Sequence, residues 1–357
     1  MKLSDIARLA GVSVTTASYV VNGQAAQRRI SAATVERVRA IVEQHGYRPD
    51  PQAAGLRRGQ TRTLGFILPD LENPSYARLA KCLEQGARAR GYQLLIASSD
   101  DCPDSERQLA RLFRARRCDG LIVASCLPAE DDSYRRLLDG GLPVVAVDRQ
   151  LDPSRFRSVV SDDREAGQRL TAHLLQPRPR HIALLGARPE LAISQARAAG
   201  FAEALADFPG AQWIEHGEAF SRACGRRLAE TLLARLGYLP DVLLTTAYVL
   251  LEGVLDVLRS SPRAFQEGPA PTRAVQPWSA VTPFPPLRLG TFGDNQLLDF
   301  LPLPVDSLQQ RHEHLAERTL AWVLAAVEDS DYRPGVETVP RTFKARYPDR
   351  PDESLTP

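Results

Sequence analysis

The sequence has no run of about 18 consecutive apolar residues, so nothing in it reads as a membrane span. No secretory apolar region opens the chain, and the expected compartment is the cytoplasm. Its five cysteines (Cys82, Cys102, Cys118, Cys126 and Cys224) are odd in number and form no CxxC pair. That excludes a disulfide framework or a zinc site and fits free thiols under reducing conditions. GxSxG, P-loop and GxGxxG motifs are missing, so nucleophile-elbow and phosphate-cradling loop chemistry find no support. His312-Glu313-His314 looks ligand-like, but helical positions two apart point to different sides and cannot share one metal. His45, His173, His181 and His216 are scattered. The C-terminal stretch carries no leucine heptads, so nothing supports a coiled-coil tetramer.

At 357 residues the chain has room for two or three domains, and 43% hydrophobic with 25% charged residues is the balance of a soluble globular protein. Its net charge of +2 is unevenly spread. Residues 1–62 hold ten Lys/Arg against four Asp/Glu, which makes that segment +6 and the remainder −4. A basic head on a mildly acidic body suits a polyanion-binding head joined to a body that binds something else.

Residues 3–22 read as two short helices broken at Gly11, a position that wants positive φ. Ile6, Ala7 and Ala10 give the first an inward stripe, and Ala17, Val20 and Val21 the second. Ser13 stands where an N-cap belongs. Val14, Thr15, Thr16, Ser18 and Tyr19 then face outward as short side chains able to reach base edges. This is a helix-turn-helix in sequence form. Ser31 can cap a third helix over about 32–45, with Val35, Val38, Ile41 and Val42 inward and Gly46 as its stop. Residues 1–48 form the headpiece and 49–62 a hinge helix and linker. Asp50 and Pro51 can start that short helix and Gly59 ends it. Small Ala53 and Ala54, the apolar wedge Leu56 and the cations Arg57 and Arg58 suit insertion into a minor groove.

From Thr63 the pattern changes to alternating strands and helices. Strands are expected near 64–68, 94–97, 120–124, 144–147, 182–185, 242–245 and 287–291, the βα texture of parallel sheets covered by helices. The expected body covers 63–346 in two lobes: one of about 63–161 plus 292–308, the other of about 162–291 plus 309–346. Residues 260–286, rich in proline, read as a long exposed loop, and 347–357 as a disordered tail.

On the sequence LeuSerAspIleAlaArgLeuAlaGlyValSer, the TyrArgPro…Ala…Leu hinge pattern and the order of the lobes, the chain resembles the lactose repressor/galactose repressor family of bacterial transcription regulators. Residues 15–23, 53–57, 69–76, 90–97 and 292–300 are similar to the fructose-responsive repressors within it. The resemblance implies an α/β protein, with a three-helix headpiece and a two-lobed, periplasmic-binding-protein-like parallel-sheet body. It implies a homodimer on a near-palindromic operator, no cofactor, no membrane partner, and release by fructose 1-phosphate or fructose 1,6-bisphosphate. By position, Val14, Thr15 and Tyr19 take the base-reading places. Lys2, Thr16, Ser18, Asn22, Arg28 and Arg29 are further DNA contacts, joined by Ala53, Leu56 and Arg57 of the hinge. No Arg on the second helix grips guanine, so direct readout looks modest.

In open parallel sheets ligands bind beyond the carboxyl ends of the strands. The candidate effector residues follow: Asp70, Leu71, Asn73, Ser75, Tyr76, Asp148, Arg149, Arg197, Tyr248, Asp294 and Gln310, the last opening the final helix. Arg149 and Arg197 can present planar forks to a phosphate, while Asn73, Asp148 and Asp294 suit sugar hydroxyls. Asp100–Asp101 and Asp162–Asp163 read as turn and cap residues, with Asp162 able to approach the cleft mouth. Two rival readings remain. A sugar-binding transport protein leaves residues 1–59 unexplained. An enzyme using Asp148 and Asp294 as acid and base has no nucleophile, metal cluster or motif behind it.

Overall fold

The structure is a computed structural model that describes residues 1–47, 60–176, 179–260, 287–328 and 332–347. The hinge residues Ala53, Leu56 and Arg57, the proline-rich stretch 261–286 and the tail 348–357 lie outside these residues. The chain divides into two compact units, Met1–Arg62 and Thr63–Pro357. No helix among the described residues is long and apolar enough to cross a membrane.

In the first unit, α1 (Leu3–Leu9), α2 (Val14–Val21) and α3 (Ala32–Gln44) surround a small core of Ile6, Ala10, Val20, Ala25 and Val38. Gly11 turns the chain between α1 and α2 at φ +62°. The Ser13 hydroxyl accepts the Thr16 N–H at 3.0 Å, and the Ser31 hydroxyl accepts the Thr34 N–H at 3.4 Å, so each cap satisfies a helix-start donor. Gly46 leaves α3 at φ +57°.

The second unit runs β1 (Thr63–Leu68), α4 (Pro74–Ala89), β2 (Gln93–Ser98), α5 (Pro103–Ala115), β3 (Gly120–Val123), α6 (Ser133–Asp139), β4 (Val144–Val147) and β5 (Arg157–Ser161). It continues with α7 (Asp163–Leu174), β6 (His181–Ala187), α8 (Ala192–Ala204), β7 (Ala211–Gly217), α9 (Arg222–Leu236), β8 (Val242–Thr245), α10 (Tyr248–Ser260) and β9 (Arg288–Phe292). A short 3₁₀ helix (Gln296–Phe300), β10 (Val305–Gln309), α11 (His312–Glu328), β11 (Gly335–Val339) and β12 (Thr342–Lys344) complete it. One six-stranded sheet has the order β2-β1-β3-β4-β5-β11, the other β7-β6-β8-β9-β10-β12. Among the described residues every strand pairing is parallel except that of β10 with β12.

Burial on both faces explains why the central strands read as apolar runs. Side chains alternate across each sheet. Leu64, Phe66 and Leu68 pack on α4 and α11, while Ile67 faces the layer of α5 and α6. Ile182 and Leu184 face α7 and α8, while Ala183 and Leu185 face α9 and α10. Each fully buried Leu, Ile or Phe of these layers contributes about 1.5–3 kcal/mol.

Two expectations need correction. Residues 292–308 do not return to the first lobe: β9 and β10 are inner strands of the second sheet. The segments that cross back are α11, whose Leu315, Leu320 and Val323 pack under β1 and β3, and β11, which pairs with β5. Nor is Tyr347 part of a loose tail. Its hydroxyl accepts the Leu289 N–H at 2.8 Å, and Arg288 lies over its ring at 4.8 Å. β5 and β10 went unread because they are buried yet carry Ser158, Ser161, Asp306 and Ser307 among their apolar residues, β7 and β11 because their burial alternates, and β12 because it has only three residues.

Candidate functional site

The headpiece presents α2 outward. Val14 is 43% exposed and Thr15 is exposed beside it. Thr16 is half-buried, its hydroxyl 2.8 Å from that of Ser13. Ser18 is a correction: it is 8% exposed, because it lies three residues before Val21 on the edge of the inward stripe. Asn22 is exposed and donates its amide to the Ser18 carbonyl and hydroxyl at 2.8 and 3.2 Å. Lys2, Arg28 and Arg29 are exposed. The Arg28 guanidinium sits 4.8 Å from the centre of the half-buried Tyr19 ring.

In the second unit, one cleft lies at the carboxyl ends of both sheets. It gathers Asp70, Asn73, Ser75 and Tyr76 after β1, and Asp148 and Arg149 after β4, from the first lobe. From the second come Arg197 on α8, Tyr248 at the start of α10 and Asp294 after β9. Gln310, on the passage back to the first lobe, completes the set two residues before α11 rather than within it. Of the expected residues only Leu71 stays out; it is 47% exposed on the surface. The equivalent strand orders explain the convergence, since each sheet reverses its winding beside its first strand and opens a crevice there.

The cleft floor is charged and buried. Asp148, at φ +65°, accepts the Tyr76 hydroxyl at 2.7 Å and the Gln310 amide at 2.6 Å. Burial alone would raise its pKa; the Arg197 guanidinium, the Tyr76 hydroxyl, Arg341 and Gln310 together hold it below the ordinary value. Burial also pushes the Tyr76 hydroxyl well up, so it stays protonated and donates. Arg149 presents its fork to Asp101, with one contact at 3.1 Å. Arg188 of the second lobe reaches the same aspartate across the cleft, donating to its carbonyl at 3.3 Å. Asp294 accepts Lys344 at 2.6 Å, Arg346 at 2.7 Å and the Ser307 hydroxyl at 2.8 Å. Those donors outweigh its burial and hold its pKa low. With both carboxyls held ionised, Asp148 and Asp294 lack the protonated member that an acid–base pair requires.

Several site residues escaped the sequence. Arg341 is the foremost. Its guanidinium donates to Asp163 at 3.1 Å, and Arg197 donates to the same carboxylate oxygen at 2.8 Å. Its backbone N–H donates to Asp162 at 2.6 Å, and a guanidinium nitrogen approaches the Leu308 carbonyl at 3.4 Å. Arg341 thus lies on the passage after β11 and touches both the passage after β5 and the end of β10, just before the chain crosses again. Asp162 and Asp163 serve this cluster, not a helix cap, as no side-chain cap bond forms on α7. Asp101 sits in the expected turn, at φ +52°, and also lines the cleft. Phe292, beneath Arg197 at 4.9 Å, and Phe220 add apolar walls. His312 also lines the cleft, 2.9 Å from the Ser75 hydroxyl. That hydroxyl spends its proton on Gln310 at 2.9 Å, so the imidazole must donate to it. The doubled aspartates and the His-Glu-His run were the visible signals; Arg341, between two very short strands, had none.

Comparison with known proteins finds the description "Bacterial regulatory proteins, lacI family" over residues 2–50 and "Periplasmic binding proteins and sugar binding domain of LacI family" over 61–249. The fructose operon regulatory protein of Vibrio cholerae is 45% identical, covering 97% of this chain and 100% of that one. The catabolite repressor/activator of Escherichia coli K12 is 42% identical over 97% and 98%. A crystal structure of the Cra transcriptional dual regulator from Pseudomonas putida in complex with fructose 1-phosphate is 62% identical, with TM-score 0.72, over 80% of this chain and 98% of that one. The lac repressor dimer bound to operator shares the fold, with TM-score 0.76 at 19% identity over 96% and 97%.

Proposed function

As the chain belongs to the lacI family of bacterial regulatory proteins, we propose that this DNA-binding transcription regulator is released from its operator by fructose 1-phosphate held in the cleft. The carrying observation is the chemistry of that cleft: Arg149, Arg197 and Arg341 are buried around it, and two of them share the single carboxylate of Asp163. Two guanidinium forks set side by side suit the oxygens of a phosphate. Asp148, Asp294, Asn73 and Gln310 offer the polar partners that furanose hydroxyls need. The relative from Pseudomonas putida that holds fructose 1-phosphate supports the choice of sugar.

On the DNA side, Val14, Thr15 and Tyr19 read base edges, while Lys2, Asn22 and Arg29 meet the backbone. Ser18, being buried, acts by holding Asn22. A homodimer places two headpieces about one helical turn apart, each on half of the site. The hinge residues Ala53, Leu56 and Arg57 enter the minor groove between them. Effector binding favours closed lobes, and the hinges then no longer fit the groove. A regulator that works on chromosomal operators resides in the cytoplasm.

Operator gel shifts at two salt concentrations, with and without fructose 1-phosphate, test the reading. Binding tighter than to random duplex at both salts, and lost with the sugar phosphate, is expected. Binding no tighter than to random DNA would reject it. Calorimetry against a panel of sugar phosphates ranks fructose 1-phosphate against fructose 1,6-bisphosphate, and incubation with the sugar phosphate should yield no product.

A further inference from the structure

The outward face of α2 carries no cation, although arginine is the side chain best matched to guanine in the major groove. The structure brings one there from outside the helix. Past α2 the chain folds back in a tight run of turns. The Gln24 N–H donates to the Tyr19 carbonyl at 2.8 Å, the Arg28 N–H to the Gln24 carbonyl at 3.1 Å, and the Ile30 N–H to the Ala25 carbonyl at 3.0 Å. Buried Ala25 anchors the run in the headpiece core. The outcome is the Arg28 guanidinium over the Tyr19 ring at 4.8 Å. Tyr19 is four residues beyond exposed Thr15, so the two share one side of the helix. Among the described residues, no carboxylate pairs with Arg28.

We propose that Arg28 is a base reader, not a backbone contact: stacked on Tyr19, it presents its fork to O6 and N7 of a guanine in each half-site. Stacking on the aromatic face orders a side chain that otherwise loses much rotamer freedom on binding. Tyr19 then serves as platform as well as reader. The proposal rests on the headpiece reading above and adds to it a named base and a named residue.

The test is selection of duplexes from a randomised library by the full chain and by variants, followed by titration on the selected site and on random DNA. The wild-type chain should enrich a near-palindrome with one fixed G·C pair per half-site. Arg28→Ala should make that pair degenerate and weaken the selected site about tenfold or more. On random duplex the same variant should lose only about twofold. Arg28→Lys keeps the charge and the fold but loses the fork, and should recover random-DNA affinity without the full guanine preference. Tyr19→Phe should keep that preference and Tyr19→Leu lose it, whereas Arg29→Ala should weaken all duplexes alike. An Arg28→Ala chain that keeps the wild-type base profile, with selected and random duplexes weakened by one factor, overturns the proposal. A wild-type chain that enriches no sequence at all removes the headpiece reading and this proposal together.

Discussion

Replacing Arg341 with alanine should loosen the body and the cleft at once. The backbone bond to Asp162 survives the change. The two guanidinium approaches to Asp163, at 3.1 and 3.0 Å, and the longer one to the Leu308 carbonyl are lost. Removing one partner of a buried ion pair can cost 3–5 kcal/mol when a bare charge is left behind. Here Asp163 retains Arg197 at 2.8 Å, so that penalty is avoided. What remains is the loss of one charge-assisted pairing, about 2–3 kcal/mol, which lowers the melting temperature by roughly 4–8 °C for a body of this size. If Arg341 shares the phosphate with Arg197, the Kd for fructose 1-phosphate should rise about 10- to 100-fold. Arg341→Lys keeps a point charge without the fork and should fall between. Arg235→Ala, which removes an exposed pairing with Glu215, is the control and should shift stability by no more than about 0.5 kcal/mol. Thermal melts and calorimetry suffice. An Arg341→Ala chain that melts with the wild type and binds the sugar phosphate equally well would show that Arg341 neither braces the body nor reaches the phosphate.

Burial and the nearby Arg341 push the His312 imidazole down from 6.5 to about 4, so the fold prefers it neutral. Its contribution is fully present above the unfolded value near 6.5 and drains away as pH falls toward 4; the body should lose about 1–2 kcal/mol by pH 5, and His312→Gln should flatten that part of a stability-versus-pH curve. Asp148→Asn removes a charge that Arg197 and Arg341 help stabilise and weakens its bonds to Tyr76 and Gln310; the Kd for fructose 1-phosphate should rise about tenfold in calorimetry, with headpiece binding to random DNA unchanged. Leu297 and Phe300, 61% and 81% exposed on the second lobe, offer the apolar contact that a homodimer would cover; Phe300→Ser should shift sedimentation toward monomer, and an unchanged dimer would place the interface elsewhere. Leu56→Ala should lower operator affinity while leaving salt-dependent binding to random DNA nearly intact, and equal loss on both would count against the wedge.

Much of this was legible in the chain because local chemistry coincided with global need. Ser13, Gly11 and Ser31 do in the fold what their residue types suggest, and the strand blocks around Leu64, Val144, Ile182 and Val242 are apolar because both faces are covered. Ten of the eleven expected effector residues line the cleft, those after β1, β4 and β9 placed by the rule that ligands sit beyond strand ends and Arg197 and Gln310 by their helices; Leu71 follows the right strand but points to solvent. What escaped was set by tertiary pairing. Arg341 follows a five-residue strand and precedes a three-residue one, too short for periodicity, and its partners lie far off in sequence. The same holds for the return of α11 and β11 to the first lobe: the length of the connection permits either route, and the choice is made by packing against Leu64 and Phe66. Ser18 shows the opposite limit, a polar residue drawn inward by one step of helical phase.

On the proposed function, a sugar phosphate held in the cleft governs the grip of the headpiece on DNA. Fluorescence anisotropy of a labelled, selected operator with the full chain at fixed salt, titrated with fructose 1-phosphate, tests it directly. Release at sugar-phosphate concentrations matching the calorimetric Kd, and its loss or displacement in Arg197→Ala, is the predicted result. An operator complex that stays intact while the cleft is saturated would contradict it.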